Sequence, residues 1–145
     1  MKKMMMYLSM VVLAFMLTGC SVDLDFSASK SDQFTETAET LGDQFTETKN
    51  KMERLEQKES LTSNDQKLIV NEINELSKVM NEFETEDAPF LVKQAKKIAV
   101  KKLKERKKVI MTIQKKAKKG SANHEDVKEI INALSDDIEI NLFKK

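Results

Sequence analysis

The sequence predicts an all-α protein, an antiparallel helical bundle of about four helices behind a cleaved leader and a short tether. Three observations lead there. The phrase DQFTET stands at residues 32–37 and again at 43–48, an offset of about three helical turns that returns equivalent side chains to one face. Apolar residues recur at steps of three and four in later segments as well, the spacing of a helix with one buried stripe. The chain has 145 residues with only three glycines, one proline and no tryptophan, and two-residue alternation is confined to Ile138, Ile140 and Leu142.

At this length a single domain is expected, preceded by residues of another kind. Lys2 and Lys3 open the chain, an apolar run over residues 4–16 is broken only by Ser9, and Leu17-Thr18-Gly19-Cys20 follows. A basic start, a run too short to span a bilayer comfortably and small residues at the cut describe a secretory signal peptide over residues 1–19. The tetrapeptide resembles the lipobox of bacterial lipoproteins, which implies that Cys20 is joined to a diacylglycerol and becomes the new N-terminus. Cys20 is the only cysteine, so an exported chain offers it no disulfide partner and lipidation accounts for it. Acyl chains such as palmitate contribute ~0.8 kcal/mol per buried CH₂, and two chains suffice for stable anchoring. Residues 20–31, polar and serine-rich after the cysteine, read as the tether.

The helical domain is assigned to residues 32–145. Phe34, Ala38, Leu41, Phe45, Thr48, Met52 and Leu55 form the first stripe, with Glu36, Glu39, Asp43, Glu47 and Glu53 off it. The eleven-residue offset also occurs in helices that lie on bilayers, but those favour a basic polar face and this one is acidic. The second helix is expected from about Ser63, with Ser63 and Gln66 at capping-box spacing. Its stripe is Ile69, Ile73, Leu76, Met80 and Phe83. Ala88-Pro89 opens the third, with Asp87 as N-cap, and Gly120 stops it near Lys119. Asn123 and Asp126 cap the fourth, which buries Val127, Ile130, Ile131, Leu134 and Ile138, and extends the stripe to Leu142. Short connections favour antiparallel neighbours.

Net charge is +1, but it is segmented. Residues 21–88 hold 17 acids against 7 bases, whereas residues 89–119 hold 13 bases and a single acid, Glu105. On the third helix Leu91, Ala95, Ile98, Ala99, Leu103, Val109, Ile110, Ile113 and Ala117 make a broad apolar face, with Lys102, Arg106 and Lys116 on or beside it. Opposite runs a lysine ridge, of which Lys93, Lys96, Lys97, Lys101, Lys104, Lys107 and Lys108 are the candidate contact for an anionic surface. Two readings stay open. The acidic flanks of the first two helices neutralise the ridge within the fold, or the ridge engages anionic lipid, a phosphate-bearing wall polymer or a protein partner. Each lysine near an anionic membrane contributes about 1 kcal/mol. Pairing of acidic and basic faces between copies would give a homo-oligomer. Nucleic acid is not expected as a partner, because export separates the chain from it and no aromatic residue is placed to stack on bases.

Catalytic chemistry has no foothold in the pattern. His124 is the sole histidine, so neither a histidine metal cluster nor a Glu-x-x-His di-iron motif can form. There is no nucleophile elbow and no glycine-rich phosphate loop. No cofactor, no metal and no enzymatic activity are expected.

With a lipobox, a short tether and an acidic-then-basic helical body, the chain resembles the small uncharacterised lipoproteins of Bacillus-like Gram-positive bacteria, in which an acidic turn runs into Ala-Pro, here Glu86-Asp87-Ala88-Pro89. The resemblance implies lipid anchoring at the extracytoplasmic face of the cell membrane and transfers no site residues. The expected function is a non-catalytic interaction module at the cell envelope. The alternative is a structural or accessory subunit that assembles through its helical seams.

Overall fold

A computed structural model describes residues 24–135, with side chains described from residue 32 on. Four α-helices follow in order: α1 (Leu24–Glu56), α2 (Ser63–Thr85), α3 (Lys93–Lys118) and α4 (His124–Ser135), with a 3-10 turn at Phe90–Val92 leading into α3. There is no strand among the described residues, and the all-α bundle is the fold. Cys20, the leader and the stripe positions Ile138 and Leu142 lie outside the described residues.

The helices close a ring, α1 packing on α2 and α4, and α3 also on α2 and α4, with α1 and α3 at opposite corners. The stripes read from the sequence line its inside. Phe34, Leu41, Met52 and Leu55 of α1 meet Ile69, Ile73, Leu76, Met80 and Phe83 of α2, then Leu103, Ile110 and Ile113 of α3 and Val127, Ile130 and Leu134 of α4. Thr48 is fully buried in that set, where the stripe placed it. The repeated DQFTET phrases thus serve packing, while Glu36, Glu39, Asp43 and Glu47 remain exposed.

Register between α2 and α3 is set by a ladder of polar contacts. Lys104 Nζ reaches Glu84 at 2.7 Å, Lys107 donates to Asn81, Ser77 Oγ meets Met111 Sδ at 3.6 Å and Gln114 donates to Asn74 at 2.7 Å. Steps of three, four and three residues along one helix match the same steps back along the other, as antiparallel helices at equal rise require.

Three local expectations need correction. The N-cap of α2 is Thr62, one residue before the expected Ser63, and it forms a capping box with Asp65. The carboxylate is the better acceptor there, because Lys58 Nζ stands 2.6 Å from Asp65 Oδ1. Asp87 does not cap α3: Pro89 leads into the 3-10 turn and the α-helix begins only at Lys93. α1 starts at Leu24, inside the residues assigned to the tether, because no proline or glycine interrupts the chain between Cys20 and Phe34. The expected stop at Gly120 holds, with φ at +70°. The Asn123 cap is also present: its side chain accepts from the Asp126 N–H at 3.0 Å, and Asp126 accepts from the Asn123 N–H at 2.9 Å.

One end of the bundle is stapled. Thr62–Asp65–Lys58 and Asn123–Asp126–Lys116 are two copies of one device, a capping box whose acid is paired with a lysine that precedes it in the chain, Lys58 in the turn after α1 and Lys116 in the last turn of α3, the second pair at 2.5 Å. Gln66 joins the two turns by hydrogen bonds to both backbone groups of Ala122, and His124 Nε2 meets the Lys58 carbonyl at 2.7 Å. His124 is therefore half-buried and engaged, rather than a free surface residue of the first turn.

Candidate functional site

The opposite end, where α2 finishes and α3 begins, carries the ridge. α3 is 26 residues long and α4 only 12. Counting back from the Lys116–Asp126 pair at equal rise, Ser135 comes level with roughly Lys107. The described part of α4 thus flanks the C-terminal half of α3, and by the Lys104–Glu84 register α2 ends level with about Leu103, so that the start of α3 reaches past both.

That asymmetry divides the expected apolar face. Ala99, Leu103, Ile110, Ile113 and Ala117 are buried as expected. Leu91 is 91% exposed, Ile98 61% and Val109 37%, and Ala95 is exposed too, so these four are corrections to the buried face. Phe90, which the sequence reading did not single out, is 86% exposed. The signal lay in Lys102 and Arg106, whose position on the apolar arc marks a flank that is not closed over; Lys102 is exposed and Arg106 half-buried.

The lysine ridge also divides. Lys96 turns inward, where Nζ donates to the Glu84 carbonyl at 3.0 Å and to the Glu86 carbonyl, and lies 5.8 Å from the centre of the Phe83 ring. A lysine there satisfies the last carbonyls of α2. Burial pulls its pKa below the usual lysine value, with the nearby Asp87, Glu86 and Glu84 opposing that shift. Lys104 pairs with Glu84 and Lys107 with Asn81. These three belong to the α2 contact.

The remaining four candidates do not. Lys93, Lys97, Lys101 and Lys108 are exposed, stand at steps of four, four and seven on one face of α3, and make no ion pair among the described residues. The expected neutralisation by both acidic helices is therefore partial. α2 engages one flank of the ridge, while α1, the more distant acidic helix, sits across the bundle.

Among the described residues no cluster of histidine, cysteine and acids could hold a metal ion, and no helix is long and apolar enough to cross a membrane. No protein-family model, no curated protein and no solved structure matches this chain.

Proposed function

We propose that this protein is a membrane-anchored extracytoplasmic lipoprotein that acts by binding rather than catalysis, with Lys93, Lys97, Lys101 and Lys108 as its contact for an anionic surface. The anchor is the diacylglyceryl group at Cys20, and the nearest polyanions at that location are phospholipid headgroups and phosphate-bearing wall polymers. The observation that carries the reading is the division of the ridge. Lys96, Lys104 and Lys107 have partners on the α2 side, and a row of exposed lysines that makes no ion pair among the described residues remains. Four such charges on one line contribute together at an anionic surface, each about 1 kcal/mol within a Debye length. An acidic face on a protein partner would meet the same row.

Assembly as a structural subunit through the helical seams has less to draw on, because those seams are consumed within one chain. Co-sedimentation of residues 21–145 with neutral and anionic vesicles tests the proposal at low and physiological salt. Binding to anionic vesicles only, weakened by salt and abolished by glutamine at positions 93, 97, 101 and 108, is expected. Glutamine at 96, 104 and 107 should instead lower stability. Binding that survives the first set of substitutions would refute the assignment.

A further inference from the structure

The largest exposed apolar side chains in the described fold, Phe90 and Leu91, are neighbours on the 3-10 turn that starts α3. Two such side chains in water at one tip are unfavourable unless something covers them. Lys93 and Lys97 follow within the next two turns, both exposed and without an ion pair among the described residues. The acidic turn at residues 84–87 lies on the α2 side, where Lys96 and Lys104 engage it. The tip therefore offers apolar tips with basic flanks, the composition suited to the interfacial zone of an anionic bilayer.

Its position in the bundle identifies the occupant. Lys51–Glu72 sets the register of α1 on α2, and Lys104–Glu84 and Lys107–Asn81 set that of α3 on α2. Carried along at equal rise, these registers bring Phe90 level with roughly the first turn of α1. α1 begins at Leu24, four residues after Cys20, and four residues span at most about 14 Å. The exposed apolar tip and the start of the anchored helix thus share one end of the molecule, opposite the stapled end.

We propose that Phe90 and Leu91 form a wedge that enters the headgroup region of the same anionic bilayer that holds the anchor, with Lys93 and Lys97 on its phosphates. This rests on the lipidation of Cys20 proposed above.

The full lipidated chain carrying Leu91→Cys, reconstituted in phosphatidylglycerol vesicles and labelled with an environment-sensitive thiol dye, tests it, with Asn64→Cys at the stapled end as control and circular dichroism to verify folding. The expected result is one dye per chain, blue-shifted at position 91 and quenched there by bromine-labelled lipid, with water-like emission at position 64. One dye per chain with water-like emission at 91 overturns the wedge and leaves the anchor standing. Two dyes per chain mean an unmodified Cys20 and overturn both. A blue shift without quenching by the brominated lipid assigns the tip to a second copy or to residues 136–145, and the wedge fails.

Discussion

The side-chain amide of Gln66 holds Ala122 at both of its backbone groups, donating to the carbonyl at 2.7 Å and accepting from the N–H at 3.2 Å. Both residues are buried. An amide is the one side-chain group of that length that can do both, so the first turn of α2 is tied to the turn between α3 and α4 by a local copy of backbone pairing. Gln66→Leu leaves two buried backbone groups without partners, at a cost of about 1–3 kcal/mol. A lowered urea midpoint at unchanged slope is the expected observation.

Asp65 gives the stapled end an acid dependence. The Lys58 ammonium at 2.6 Å, followed by the Thr62 N–H and hydroxyl, each at 2.8 Å, lowers its pKa from 3.8 to about 2. Because the folded value lies below the unfolded one, the carboxylate's contribution is complete above about pH 4 and is lost as the pH falls toward 2. Asp65→Asn should lower stability at neutral pH and flatten that part of the acid limb. Urea midpoints of both proteins, followed from neutral pH downward, measure the difference.

Phe83 and Phe90 are seven residues apart and energetically unlike. Phe83 is fully buried, with its ring 5.6 Å from that of Phe34, whereas Phe90 is exposed. Phe83→Ala is expected to cost about 3–5 kcal/mol, and Phe90→Ser to change stability by less than about 0.5 kcal/mol. Thermal unfolding of both variants checks the pair. A large loss at Phe90 would place that ring in a packed environment.

Gly120 ends α3 with φ at +70°, and the space around a side chain at that position is open. The cost of Gly120→Ala is therefore backbone strain alone, about 1–2 kcal/mol. Replacement by asparagine, which tolerates the left-handed region better, should recover part of it. Chemical denaturation of the two variants separates strain from packing.

The sequence by itself determined the class of fold and most of the interior. Steps of three and four place a residue on one helical face whatever its neighbours, so Phe34, Thr48, Met52, Ile73, Phe83, Ile110 and Ile130 could be assigned to the inside from spacing alone. Gly120 and the Asn123–Asp126 pair were legible for the same reason, since caps are local chemistry. Periodicity names a face but not how much of it a neighbour reaches. The reach of α2 decided that Leu103, level with its end, is buried, while Leu91 and Ile98, past the end of α2 and past the described part of α4, are exposed. The register of α2 decided which lysines of one continuous basic run find a partner: Lys96, Lys104 and Lys107 meet α2, and Lys93, Lys97, Lys101 and Lys108 do not. Charge counted along the chain could not separate them, because an ion pair depends on distance across helices, and that distance is set only when the helices pack.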